Sequence, residues 1–170
     1  GQVTTFEESE NLRYFELVAR MFGPDHAALV CSDGDAIHGA TRADLIALVE
    51  SADLLVNISG HLRLNWLLQP LRRKAYVDDD PGFTQFWLAS GHGLENLAFH
   101  DFHFTFGENI GAADCSIPSG EINWRPLRPF VALEHWPEMS HAGKDRFTTV
   151  ASWRGPYGPV TYQGRTFGLK

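Results

Sequence analysis

Three consecutive carboxylates, Asp78, Asp79 and Asp80, are the first residues whose type and spacing could do chemistry. They follow the apolar run Lys74 to Val77 and precede Pro81-Gly82. Adjacent carboxylates can bind a hard divalent cation such as magnesium. The alternative is structural, with one aspartate capping a helix that begins near Pro81 while its neighbours face solvent. Because proline suits the first turn of a helix, the pattern favours capping, and we expect no metal there.

A second group with metal-binding residue types is His100-Asp101-Phe102-His103. On a strand, Asp101 and His103 share a face, whereas His100 points to the other face. Three ligands with one of them facing away make a poor zinc site. Local hydrogen bonds of each histidine are therefore the favoured interpretation.

Two further residues could contact a substrate. Glu108 follows the phenylalanine-rich run Phe102 to Phe106 and could act as a base or bind a sugar hydroxyl, although a plain turn residue is the alternative. Arg154, between Trp153 and Gly155, could pair with a phosphate or carboxylate, or form a surface ion pair. The sequence has no Gly-x-Ser-x-Gly elbow, no Walker loop and no dinucleotide-binding glycine fingerprint after a strand, so no cofactor is predicted.

Helix and strand patterns must position these residues. Helices are predicted over Ser9 to Phe22, from the capping sequence Thr41-Arg42-Ala43-Asp44 onward, and over Phe83 to Ala89. Strands are predicted at Ala27 to Cys31, Asp53 to Gly60, Lys74 to Val77, Phe102 to Phe106, Phe130 to Leu133 and Phe147 to Ala151.

The order of these elements indicates an α/β fold. Strands alternate with helical patterns in the first hundred residues, which is typical of a Rossmann-like, mainly parallel sheet flanked by helices. The nearly continuous apolar character of Asp53 to Gly60 predicts a strand buried on both faces. We expect a single domain over residues 1–170 with a loop-rich C-terminal part.

Ligands of open parallel sheets bind beyond the carboxyl ends of the strands, where loops converge. This rule selects four loops that each follow an apolar run and contain glycine with polar groups. The ligand-facing candidates in them are Ser59, Gly60, His61, Asp78, Asp80, Glu108, Asn109, Trp153 and Arg154.

Charge and composition exclude several classes of protein. The chain has 170 residues and a formal charge of -7, without a long basic run, which disfavours binding of nucleic acid through bulk charge. No apolar stretch is long enough for a membrane span, and no signal peptide is recognisable. The two cysteines, Cys31 and Cys115, follow no metal-binding spacing, so a reducing, cytoplasmic location is predicted.

Several strings in a fixed order resemble a segment of bacterial glycosyltransferase-like proteins of the two-domain GT-B type, from about Ala52 to Lys170. The strings are ADLLVNISGHLR, AYVDDDPGFTQFW, HFTFGENIG, CSIP, WRPLRPFVALEHWP and RFTTVASWRGPYGPVTYQGRTFGLK.

The resemblance implies the N-terminal, Rossmann-like half of such an enzyme, which contributes mainly to the acceptor side of a cleft. The opening strand with its glycine-rich turn and the C-terminal domain that binds a nucleotide sugar are then expected outside the chain. In this hypothesis Asp78, Glu108 or Arg154 positions the sugar acceptor, and transfer needs a donor-binding partner.

Two alternatives come from other classes of protein. The chain could be a non-catalytic small-molecule-binding or assembly module, in which a second copy covers the sheet edge that a missing first strand exposes. It could instead be a metal hydrolase that uses Asp78 to Asp80 or His100 to His103.

Overall fold

The structure, a computed structural model, describes residues 5–23, 26–136, 149 and 158–167. The α-helices are α1 (Glu10–Phe22), α2 (Arg42–Ser51), α3 (Asn65–Leu68), α4 (Phe83–Ala89) and α5 (Leu94–Leu97). The strands are β1 (Leu29–Val30), β2 (Ile37–His38), β3 (Leu55–Ile58), β4 (Lys74–Asp78), β5 (Phe102–Thr105), β6 (Trp124–Pro126), β7 (Val160–Tyr162) and β8 (Arg165–Phe167).

The central element is a four-stranded parallel sheet in the order β3-β4-β5-β6, flanked by helices. This confirms the predicted α/β class and is consistent with a Rossmann-like arrangement. The chain divides into two compact units, which are described separately. The first comprises Gly1–Tyr76 and Ala98–Phe102, and the second comprises Val77–Leu97 and His103–Lys170.

Helix α1 begins and ends as its sequence predicts. The hydroxyl oxygen of Ser9 accepts a hydrogen bond from the Leu12 amide at 3.2 Å. The helix ends at Gly23, whose φ of 55° lies in the left-handed region that glycine adopts without strain. The Gly23 amide donates to the Ala19 carbonyl at 2.9 Å, so both ends of the helix are capped.

Helix α2 begins with the predicted capping box. The Asp44 amide donates to the Thr41 hydroxyl at 3.1 Å, and the Thr41 amide donates to the Asp44 carboxylate at 2.9 Å. Two amides that have no partner within the helix are thereby satisfied.

Burial differs sharply between two strands that both have apolar sequences. In β4, Ala75, Tyr76 and Val77 are buried. In β3, Val56 and Ile58 are about half exposed, at 55% and 50%. Alternate residues of a strand share a face, so one face of β3 is largely uncovered. The prediction that Asp53 to Gly60 is buried on both faces is therefore wrong, because an apolar run does not reveal how many of its faces are covered.

Three other predicted strands need comment. The strand predicted at Ala27 to Cys31 is only two residues long, and it pairs antiparallel with β2 in a separate small sheet. Phe130 to Leu133 does not form a strand, and a 3-10 helix begins at Leu133 instead. The strand predicted at Phe147 to Ala151 lies outside the described residues, apart from Thr149.

A C-terminal hairpin that was not predicted packs on α4 within the second unit. Its strands β7 and β8 pair antiparallel around Gln163 and Gly164, whose φ values of 48° and 74° fit a two-residue hairpin turn. The ring of Phe167 stacks on that of Phe86 at a centroid distance of 4.5 Å, and the Tyr162 ring lies 5.5 Å from Phe86. The hairpin thus covers the side of α4 that carries Phe86.

None of the described helices combines the length and the apolar character that crossing a bilayer requires.

The capping box of α2 predicts a pH dependence. The pKa of Asp44 is held below its ordinary value of 3.8, first by the hydrogen bond from the Thr41 side chain and then by the one from the Thr41 amide. A lowered pKa means that the ionised Asp44 carboxylate stabilises the helix. This stabilisation is complete above the ordinary pKa and is lost progressively as the pH falls through the lowered pKa. An NMR titration should find the Asp44 midpoint below 3.8.

Thr41→Val removes the hydroxyl and should move this midpoint back towards 3.8. Asp33, whose pKa is lowered chiefly by the Asp35 amide, is an internal control that Thr41→Val should not change. An Asp44 midpoint that is the same in both proteins would contradict the assignment.

Candidate functional site

The carboxylate of Asp78, at the end of β4, is completely buried and accepts four hydrogen bonds within the second unit. Its Oδ1 accepts from the Thr84 hydroxyl at 2.7 Å and from the Asp80 amide at 3.3 Å. Its Oδ2 accepts from the Gln85 side-chain amide and the Thr105 hydroxyl, both at 2.8 Å. Both oxygens are therefore satisfied inside the protein, as a buried charge requires.

This geometry corrects the expectation that Asp78 faces a ligand. It also corrects the capping interpretation, because the N-cap residue of α4 is Gly82 rather than an aspartate. The Gly82 amide donates instead to the Gln85 side-chain oxygen at 2.6 Å, and Pro81 precedes the helix rather than lying in its first turn. Gly82 has a φ of 101°, a conformation that other residues rarely adopt. Gln85, itself fully buried, thus links the start of α4 to Asp78.

The same carboxylate joins the end of β4 to the end of β5. Thr105 donates its hydroxyl hydrogen to Asp78 and accepts from the Gly107 amide at 3.1 Å, while the Phe106 amide donates to the Asp78 carbonyl, also at 3.1 Å. A Cβ added at Gly107 would lie 3.0 Å from the Cβ of Pro81. The loops that follow the two strands are therefore packed closely together.

A third loop reaches this edge of the sheet from β6. Strands β5 and β6 are parallel, with Thr105 opposite Pro126, so their following loops leave the sheet on the same side. The guanidinium Nε of Arg128 lies 2.7 Å from the Glu108 carboxylate. This contact shows directly that the loops after β5 and β6 meet.

The exposed polar side chains of these three loops form what we term the strand-end cluster. It consists of Asp79, Asp80, Glu108, Asn109 and Arg128. The sequence rule selected Asp80, Glu108 and Asn109 but not Arg128. If the strand at Trp124–Pro126 had been predicted from the sequence, the strand-end rule would also have selected the loop that contains Arg128.

The strand-end cluster offers three complementary groups for polar recognition. Carboxylates and the Asn109 amide can bind hydroxyl groups, and the Arg128 fork can pair with a phosphate or a carboxylate. The Glu108 carboxylate has a guanidinium partner in Arg128. The Glu108 carboxylate can act as a base only towards a group that lies within hydrogen-bond distance of it.

The loop Ser59-Gly60-His61 belongs to the first unit. It follows β3 in a tight turn, with positive φ at Ser59 (50°) and Gly60 (64°). His61 is exposed, and its amide donates to the Ile58 carbonyl at 3.2 Å. A positive φ at a residue other than glycine costs about 1 kcal/mol or more and is concentrated at functional sites.

The residues proposed as metal ligands make hydrogen bonds within the protein instead, and only that of His103 is to a residue near it in sequence. Asp101 accepts from the Lys74 amide at 2.7 Å, His100 pairs with Asn57 at 3.1 Å, and His103 pairs with the Leu97 carbonyl at 3.1 Å. Among the described residues, no three His, Cys, Asp or Glu side chains are grouped so that they could hold a metal. The candidates Trp153 and Arg154 lie outside the described residues.

Compared with protein-family models, with curated proteins and with solved structures, the chain matches none of them.

The buried carboxylate predicts a large effect of substitution at one of the three aspartates. Asp78→Ala leaves the buried donors of Thr84, Gln85 and Thr105 without an acceptor, so the free energy of unfolding should fall by about 3 kcal/mol or more. Asp80→Asn changes an exposed side chain and should stay within about 0.5 kcal/mol of the parent protein. Urea unfolding of the three proteins measures both values. Equal stability of the two variants would refute the role of Asp78.

Proposed function

We propose that the chain is a glycosyltransferase-like domain, the acceptor-side half of a transferase that uses a nucleotide sugar, and that the strand-end cluster contacts the acceptor. The observation that carries this proposal is the meeting of three strand-end loops, marked by the contact of 2.7 Å between Glu108 and Arg128. Parallel α/β sheets bind their ligands at this edge. The ordered strings that resemble GT-B proteins supply the reaction class.

The reaction requires an acceptor hydroxyl to attack the anomeric carbon of the donor sugar. A carbon–oxygen bond forms to the acceptor, the bond to the nucleoside diphosphate breaks, and the hydroxyl proton is transferred to a base. Glu108 is the residue to which we assign this proton, because it is a half-exposed carboxylate, held by Arg128, at the proposed binding edge. The donor is bound by a separate, donor-binding half.

The other groups of the cluster have supporting roles in this proposal. Asn109, which is exposed beside Glu108, can donate to and accept from sugar hydroxyls. Arg128 orients the Glu108 carboxylate through its Nε. Asp78 does not touch the acceptor, but it fixes the two loops from which Asp80 and Glu108 project. A rigid base of this kind reduces the entropy lost on binding.

A second candidate function, a non-catalytic assembly module, is favoured by apolar exposure in the first unit. Leu54, Val56 and Ile58 occupy alternate positions along β3 and its preceding residue, and each is about half exposed. Contiguous exposed apolar residues often mark an interaction surface. Size-exclusion chromatography with light scattering separates the candidates, because a strict monomer at high concentration would count against self-assembly through this face.

The proposed function predicts weak binding of simple sugar acceptors at the strand-end cluster. Addition of a simple sugar acceptor should shift the backbone amide NMR signals of Glu108 and Asn109. Glu108→Gln should weaken binding about tenfold, the loss expected for one charge-assisted hydrogen bond.

Glu50→Gln provides the matched control, since Glu50 is an exposed glutamate of α2 in the first unit. It should bind as the parent protein does. Isothermal titration with nucleotide sugars and with acceptors completes the test, and the absence of both heat and shifts for every compound would overturn the proposal.

A further inference from the structure

A buried asparagine closes the turn that follows β3. The side chain of Asn57, which is only 3% exposed, makes two hydrogen bonds with the backbone of Leu62. Its Oδ1 accepts from the Leu62 amide at 3.1 Å, and its Nδ2 donates to the Leu62 carbonyl at 3.0 Å. The turn between them contains Ser59, Gly60 and His61.

This reciprocal pair fixes which way the Asn57 amide points. The Leu62 amide can only donate and the Leu62 carbonyl can only accept, so a rotation of the side-chain amide by half a turn would break both bonds. The orientation therefore does not depend on any third group.

The fixed orientation determines the protonation state of His100. The Nδ2 of Asn57 lies 3.1 Å from the Nε2 of His100. Since Nδ2 carries hydrogens and no acceptor electrons, the Nε2 of His100 must accept. His100 is consequently neutral, with its proton on Nδ1.

Within the first unit, the described contacts of the His100 ring are with a neutral amide and an aromatic ring. The ring of Tyr76, on β4, meets the His100 ring edge-on at a centroid distance of 5.4 Å. The neighbouring Asp101 carboxylate accepts from the Lys74 amide, and the Lys74 ammonium donates to the Leu71 carbonyl at 3.0 Å. His100 itself is 8% exposed, so solvent compensates a charge on it poorly.

We propose that His100 is a positioning residue that couples proton uptake to the order of the turn from Ile58 to Leu62. Protonation of Nε2 places a second donor against the donor of Asn57. The amide cannot turn to relieve this contact without releasing Leu62. Acidification therefore opens the turn.

The proposal stands apart from the proposed function, because the strand-end cluster belongs to the second unit. The proposal also gives a role to the strained backbone of Ser59, whose φ is positive. Within this turn the Arg63 Nε also donates to the Gly60 carbonyl at 3.3 Å, so loss of the Asn57 bonds releases the Leu62 end of a strained turn rather than every contact in it.

The first test needs no substitution. Nitrogen-detected NMR of the histidine rings should show His100 Nε2 unprotonated and Nδ1 protonated at neutral pH. Hydrogen exchange at the Leu62 amide, corrected for its intrinsic rate, should become about tenfold faster over the pH range in which the ring-nitrogen signals of His100 show proton uptake. A proton on Nε2 at neutral pH, or corrected exchange independent of pH, would overturn the proposal.

Variants separate His100 from other titrating groups. His100→Gln can still present an oxygen to Asn57 but does not titrate, so the turn should stay closed and lose its pH dependence. His61→Gln removes the exposed histidine of the turn itself and should leave the pH dependence unchanged. If His61→Gln abolished the dependence and His100→Gln did not, the proposal would be refuted.

Asn57→Asp should reverse the direction of the pH dependence. A carboxylate at this position accepts from the Leu62 amide and from a protonated His100, so acidification should slow exchange at Leu62 rather than accelerate it. Exchange that still accelerates with acid in this variant would contradict the assigned role of His100.

Discussion

The buried Asp78 carboxylate is the interaction on which the architecture of the second unit depends. Removing a carboxylate from water is costly unless its oxygens are fully hydrogen-bonded. Four donors from the start of α4, the end of β5 and the intervening loop meet this requirement together. The donors are attached to three different pieces of backbone, because Thr84 and Gln85 both belong to α4. The carboxylate therefore specifies one arrangement of these pieces, and alternative packings would leave a charge or several donors unpaired.

The first unit uses a neutral polar group in a comparable way. Asn57 has both a donor and an acceptor, so a single side chain can close a turn by binding the amide and the carbonyl of Leu62. In both units a buried polar side chain at or near a strand end fixes the loop that follows. Apolar packing alone would not impose such a defined loop conformation, because dispersion contacts have little directional preference.

Local signals made part of this structure predictable from the sequence. The capping residues Ser9 and Thr41 and the helical periodicity after them correctly gave α1 and α2, and period-2 alternation gave the strand at Phe102–Thr105. The strand-end rule also selected the loops that carry Asp80 and Glu108. The role of Asp78 was not predictable, because its partner Thr105 is 27 residues away. Arg128 was missed since β6 has only three residues and includes a proline.

The packing of the C-terminal hairpin on α4 has a consequence for biosynthesis. Phe86 is buried beneath Phe167 and Tyr162, which the ribosome delivers only after the whole intervening chain. Until then, the apolar side of α4 is open to solvent and to other nascent chains. Contacts between residues so distant in sequence form late and slow the folding of a domain. The second unit is thus expected to complete its core only after synthesis of the hairpin.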